Sequence, residues 1–349
     1  MERTPENGII DRRPNLFSMV CSRIWHHRWH RLGLHLQYRI YHTPQINRSW
    51  LMKKLSDTLG YYIFYAFAGT LACLPLPVLY LISDIAAFFV HKVVRYRLNV
   101  VRMNLRNSFP EKNDAELKAI ENKFYRHLCD YGVELIKMTR ISEKELDKRI
   151  TIDNFDLFYE QLDKGKNIIL LLGHYGNWDW LSTLERRFRP GVTLAAVYRP
   201  LKNPGIDELF IKARERFGTF NIAKNNTLRA MIRIKQSKQP HVVAMVSDQT
   251  PSVNNLEYWS NFLHQDTPVL TGMDKIARQL DFSVYYIDCQ VVKRGYYKAT
   301  LSIIESDPAS LQPYEICERF IRKVEQTIQR DPAFYLWSHK RWKHKREKE

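Results

Sequence analysis

Ile168-Ile169-Leu170-Leu171-Leu172-Gly173-His174-Tyr175-Gly176-Asn177-Trp178-Asp179 is the stretch whose reading decides the fold. Five consecutive apolar residues ending at a glycine have the length of a fully buried strand. Gly173 and Gly176 let the chain bend, and Asn177 suits the N-cap of a helix expected over 178–188. His174 therefore belongs in a turn just past a strand. Five residues along a helix rotate by about 140°, so His174 and Asp179 cannot share one helical face. Asp179 is expected to reach back from the first helical turn and hold the imidazole in one tautomer. A base so oriented can take a proton from a hydroxyl. The structural alternative is a histidine that merely caps a helix-start aspartate. His344 and Glu349 have the same spacing, but they lie in a solvated charge run.

Working outward, short apolar runs at 192–197, 242–246, 284–287 and 299–303 read as further strands. Helices are expected at 205–217, 227–236, 270–280 and 313–329, and residues 91–140 look helical with an Arg-rich face. Alternating strands and helices predict an α/β sandwich around a largely parallel sheet. The catalytic domain is expected to span 107–345, with a charged tail at 346–349.

Towards the N-terminus, Thr58 to Ser83 is free of charged residues, 26 in a row, and Ile85 to Val90 resumes the apolar pattern. That length can cross a bilayer core of about 30 Å. Pro75 and Pro77 cut the run near Leu74, so two shorter apolar helices are expected. Lys53 and Lys54 precede it and Lys92, Arg95, Arg97, Arg102 and Arg106 follow it. Positive charge at both ends places both in the cytoplasm, as a monotopic or hairpin membrane anchor over 52–106 would have them. Residues 1–51 are a basic prefix rich in Arg, His and Trp, without sustained periodicity. It is expected to be a disordered arm, or sequence upstream of a native start at Met52.

The chain has 349 residues and a formal net charge of +17. The first 51 residues hold eight basic and three acidic side chains, so the rest remains near +12. Such an excess favours anionic partners. No nucleic-acid-binding module is recognisable. Five scattered cysteines without a C-x-x-C pair argue against a disulfide framework. P-loop, serine-elbow and zincin motifs are absent, so no metal or nucleotide cofactor is called for. The missing serine elbow points to direct transfer rather than an acyl-enzyme.

The stretch from Gly173 to Asp179 resembles the H-x4-[DE] motif of the lysophospholipid acyltransferase superfamily, and more closely the late lipid A acyltransferases that add lauroyl or myristoyl chains. Other blocks agree in order: Arg95-Tyr96-Arg97 with Asn104-Leu105-Arg106-Asn107-Ser108-Phe109-Pro110, then Tyr198-Arg199-Pro200-Leu201-Lys202-Asn203, Ser247-Asp248-Gln249, and Leu336-Trp337-Ser338-His339-Lys340-Arg341-Trp342. The resemblance implies a glycerolipid-acyltransferase-like fold and transfer of a fatty acyl group from an acyl-carrier-protein thioester to a lipid A precursor. It implies His174 as base and Asp179 as its orienter. Arg199 would bind a donor or acceptor phosphate, and Asn177, Asp248 and Gln249 would complete the substrate site. Strand C-termini are where open α/β sheets place ligands. His264 stands where similar chains commonly have glycine, which puts the usual shape of that turn in question.

A coenzyme A thioester could serve as donor, and a lysophospholipid, aminolipid or glycolipid as acceptor, with the same residues. A non-enzymatic basic protein that binds nucleic acid or membrane is the remaining reading. The first reading places the enzyme at the inner membrane with its catalytic domain on the cytoplasmic face, where the basic surface would meet acyl carrier protein, lipid A phosphates and anionic head groups.

Overall fold

The computed structural model describes residues 64–346. The prefix over 1–51, the question of a start at Met52 and the far end of the charged tail lie outside the described residues. The apolar run forms two helices, α1 (Phe64–Cys73) and α2 (Leu76–Phe88), broken where the two prolines predict it. Pro75 is the N-cap of α2 and Pro77 lies in its first turn, where a missing N–H costs nothing. A π-helical turn, Phe89–Val93, continues α2. Leu76–Val93 is long and apolar enough to cross a membrane by length and composition.

After α3 (Leu98–Ser108) comes the long α4 (Asp114–Met138), started by a capping box in which Asn113 accepts from the Glu116 amide and Glu116 bonds back to Asn113. One flank of α2, with Leu76, Leu79, Ser83 and Ala87, is buried. Polar contacts fasten that flank to α4. Ser83 Oγ donates to Asp130 (2.6 Å), Tyr80 Oη to Glu134 (2.7 Å), and Arg294 forks between Asp84 and Asp130. Lys137 Nζ donates to the carbonyls of Ala72 and Leu74, at the C-terminal end of α1.

Then follow α5 (Glu143–Arg149), β1 (Ile150–Asp153), α6 (Leu157–Leu162), β2 (Ile168–Leu172), a 3-10 helix (Trp180–Arg187), β3 (Thr193–Tyr198), α7 (Pro204–Glu215), β4 (Phe220–Ala223), α8 (Thr227–Gln236) and β5 (His241–Val246). The chain closes with the hairpin β6 (Tyr258–Phe262) and β7 (Gln265–Val269), α9 (Gly272–Leu280), β8 (Ser283–Lys293), β9 (Tyr296–Glu305) and α10 (Glu315–Arg330). The main sheet runs β1-β9-β8-β2-β5-β3-β4, and only β8 and β9 pair antiparallel. The fold is therefore α/β with a mixed, mostly parallel sheet.

All five residues of β2 are buried, because cores cover both sheet faces. Ile169 and Leu171 face α3, α8, α9 and α10, whereas Ile168, Leu170 and Leu172 face α2, α4, α6 and the 3-10 helix. Three expectations need correction. The helix after the turn is 3-10 over 180–187 and not α over 178–188. Strands β1, β4, β6 and β7 went unforeseen. At the doubtful turn, Leu263 and His264 adopt φ of 51° and 62°, so His264 takes the left-handed conformation without glycine and closes the two-residue loop between β6 and β7.

Candidate active site

Parallel pairing of β2 with β5 aligns Leu172 with Val246. Two residues further on, the same register sets His174 beside Asp248. The His174 amide donates to Asp248 Oδ2 (3.1 Å), and its Nδ1 lies 2.6 Å from Asp248 Oδ1. Asp248 is fully buried and His174 is 16% exposed. Burial alone would raise the Asp248 carboxyl; His174 beside it and Arg341 beyond outweigh that and hold it below its ordinary range. An ionised carboxylate only accepts, so Nδ1 donates to Asp248 and Nε2 is the ring nitrogen left for other partners. The Gln249 amide nitrogen lies 3.0 Å from Nε2.

The turn around His174 is held from three sides. Gly176 has φ of 61°, and a Cβ there would come within 2.6 Å of the Cys289 carbonyl oxygen, so only glycine fits. The segment after α10 clasps the turn through a bridge between Tyr175 and Tyr335, with the Gly176 amide donating to the Phe334 carbonyl (3.0 Å) and the Leu336 amide to the His174 carbonyl (3.1 Å). Trp178 meets the imidazole edge-on at 5.1 Å and stacks on Tyr131 at 4.2 Å.

The structure places Asp179 elsewhere than expected. Its carboxylate, 3% exposed, accepts from Arg214 Nε (2.8 Å) and from the Tyr131 hydroxyl. The carboxylate bonded to His174 is thus Asp248, 74 residues away in sequence, and Asp179 instead fixes Arg214. The physical reason is the backbone: Asp179 sits at the N-cap of the 3-10 helix, which aims it at α7, whereas strand register aims Asp248 at the imidazole. Burial would lower the Arg214 guanidinium, but Asp179 prevails and raises it. Among the described residues, Arg214 Nη1 is buried without a hydrogen-bond partner.

A cavity of about 500 Å³ opens beside this turn. Its apolar wall includes Leu170, Leu172, Leu181, Leu184, Leu194 and Ile287. Its polar residues include His174, Asp179, Arg199, Arg214, Lys224 and Gln249. Of the sequence candidates, His174, Asp179, Arg199 and Gln249 therefore line one space. Arg199 is exposed at its rim. Asp248 lies behind His174, and Asn177, 1% exposed, does not line the cavity. Asn177 is not the N-cap, a position held by Asp179, but its Oδ1 accepts from the Trp180 amide at the start of the helix (3.0 Å), and its Nδ2 donates to Glu134 (2.7 Å).

Two groups escaped the sequence reading. Arg214 lies on the inner side of an amphipathic helix, where arginine reads as solvent-facing. Glu134 is a buried carboxylate that accepts from Tyr80, Tyr297 (2.5 Å) and Asn177, and burial, stronger than those bonds, pushes it up to about 7.

Residues 47–344 match the family of bacterial lipid A biosynthesis acyltransferases. A lipid A biosynthesis acyltransferase of Haemophilus influenzae is 24% identical over 312 residues, 86% of this chain and 94% of its own length. A second from the same organism is 24% identical over 142 residues, 41% of this chain and 44% of its own. A half-buried histidine on a buried carboxylate beside an apolar cavity suits that chemistry, and the match spans most of the chain: it belongs to the bacterial lipid A biosynthesis acyltransferase family and is an acyltransferase.

Proposed function

We propose that this enzyme transfers a fatty acyl group from an acyl-carrier-protein thioester to a hydroxyl of a lipid A precursor, with His174 as general base. The observation that carries the reading is the imidazole held by Asp248 through Nδ1 at an apolar cavity. The acceptor hydroxyl replaces the Gln249 amide at Nε2. As its oxygen attacks the thioester carbonyl, the proton moves to Nε2, and Asp248 stabilises the imidazolium. The tetrahedral intermediate then collapses, the C–S bond breaks, and the thiolate leaves with the proton from His174. No side chain becomes acylated.

The apolar wall accepts the acyl chain, a volume ordinary for a ligand site. Arg214, held by Asp179, and Arg199 at the rim set positive charge beside the reacting carbonyl and the acceptor phosphates. Asp179 thus serves the site through Arg214.

The proposed setting is the cytoplasmic face of the inner membrane. Val78, Leu81, Ile85 and Phe88 form an exposed stripe on α2, continued by Phe89, Val93 and Val94. The opposite flank is fastened to α4, so this stripe fits a helix lying in the lipid interface better than a free span. Lys92, Arg95, Arg102 and Arg106 would meet anionic head groups beside it.

Mass spectrometry of lipid A from cells with and without the gene tests the proposal. One acyl mass should be missing in the deletion, and unchanged lipid A would exclude this acceptor. Purified enzyme supplied with matched carrier-protein and coenzyme A thioesters then identifies the donor, with faster transfer expected from the carrier protein.

A further inference from the structure

Between Glu215 and Asp248 the chain carries no acidic residue, while Arg216, Lys224, Arg229, Arg233, Lys235 and Lys238 all fall within that stretch. Its middle is the edge strand β4 and the helix α8. Met231 and Ile234 seat α8 on the core. At about 100° per residue, Lys235, Leu228, Ile232, Arg229 and Arg233 follow one another around its other side, and all of them are exposed. The two apolar side chains there, Leu228 at 52% and Ile232 at 40%, thus stand open to solvent between cations. Phe220, itself exposed, joins Arg229 and Arg233 around a cavity of about 310 Å³ between β4 and α8.

Cations on neighbouring helices are matched. On α9, Arg278 pairs with Asp274 (3.0 Å) and Lys275 with Glu257 (2.7 Å); on α10, Arg319 pairs with Glu305 (2.8 Å). Among the described residues, no carboxylate comes within ion-pair distance of Lys224, Arg229, Arg233, Lys235 or Lys238. An uncompensated positive field raises the local concentration of an acidic partner, and apolar side chains set among the charges give that partner surface to bury.

The patch runs into the catalytic cavity, because Lys224, Thr227 and Leu228 at the start of α8 line its wall. It also lies on the sheet face opposite to α2: Met231 and Ile234 belong to one core cluster, Leu76 and Leu79 of α2 to the other. The α2 stripe and the α8 patch are thus separated by the sheet, which favours a soluble acidic partner over the lipid surface that α2 would meet.

We infer that the exposed face of α8, with the Phe220 cavity beside it, is the docking surface for an acidic carrier protein that presents its acyl thioester to the catalytic cavity past Lys224 and Leu228. This rests on the proposed carrier-protein donor and adds where that donor binds.

The test uses the full-length enzyme carrying Arg229→Glu and Arg233→Glu, supplied with carrier-protein and coenzyme A thioesters of the same acyl chain. Both positions are exposed, so the melting temperature should not move. KM for the carrier-protein thioester should rise about 30-fold with kcat nearly unchanged, and KM for the coenzyme A thioester should stay within about twofold. For the parent, KM for the carrier protein should climb as salt is raised from about 50 to about 300 mM, and the variant should lose most of that climb. Lys235→Glu, on the opposite flank, should give a smaller rise in the same direction, and it serves alone if the double variant melts early. A folded variant whose carrier-protein KM stays within about twofold of the parent overturns the surface. An equal rise with both thioesters does so too, by assigning the arginines to the site itself. Weaker sedimentation with phosphatidylglycerol vesicles at an unchanged carrier-protein KM would assign α8 to the membrane instead. A parent enzyme that transfers from coenzyme A at least as fast as from the carrier protein removes the donor reading, and the docking surface with it.

Discussion

Two carboxylates stand at the C-terminal edge of the sheet, and their surroundings divide the work between them. Asp248 lies buried behind His174, bonded to both its amide and its ring. Asp179 faces the cavity, and its charge is taken up by Arg214 and Tyr131. In the proposed mechanism the first arrangement serves a proton and the second holds a cation. A histidine and an acid five residues apart thus turn out to belong to two different devices that share one turn.

The sharpest way to break this comparison is at the imidazole. His174→Ala should lower turnover by about 10⁴-fold with the chain still folded, and Asp248→Asn by about 10³-fold, because an amide can donate to Nδ1 and select the wrong tautomer. Steady-state transfer assays with either variant within a few-fold of the parent would collapse the distinction. Asp179→Asn should behave differently. It leaves Arg214 buried and unpaired, which costs about 3–5 kcal/mol in denaturant unfolding. Asp179→Asn combined with Arg214→Gln should recover much of that stability without recovering activity. Full recovery of activity would make the pair scaffolding only.

A third carboxylate sharpens the contrast through pH. Glu134 titrates at about 7 when folded, against 4.5 for the ordinary group. A raised folded value means the stabilising contribution is complete below pH 4.5 and is lost as pH rises through about 7. The loss amounts to about 3 kcal/mol. Glu134→Gln should abolish that decline in melts followed from pH 4.5 to pH 8, and a decline of equal size in the variant would assign it to another group. The smallest effect is expected at the exposed rim. Arg199→Ala should raise KM for a phosphorylated acceptor about tenfold, worth roughly 1.4 kcal/mol, with kcat nearly unchanged. An unchanged KM would return Arg199 to the solvent.

How much of this was legible in the sequence depends on whether the cause was local. The run Ile168–Leu172 reads as a buried strand because five apolar residues in a row need cover on both faces, and its observed bounds are the same. The helix break at Pro75 is equally local. Strands β1 and β4, four residues each, are too short to show a period, and they are set by their neighbours β9 and β3. The partner of His174 was hidden for a related reason. Asp179 is near in sequence, whereas Asp248 becomes near only once β2 and β5 pair in register. Given that pairing, Leu172 opposite Val246 would have been enough to name it.

The clasp formed by Tyr335 and Leu336 on the His174 turn has a consequence for biosynthesis. Both of its residues leave the ribosome after every strand of the sheet, while the turn they complete is made between β2 and β3. A nascent chain can therefore lay down its sheet before the His174 turn is clasped. A chain shortened before Tyr335 keeps every strand of the sheet but lacks the clasp on the His174 turn.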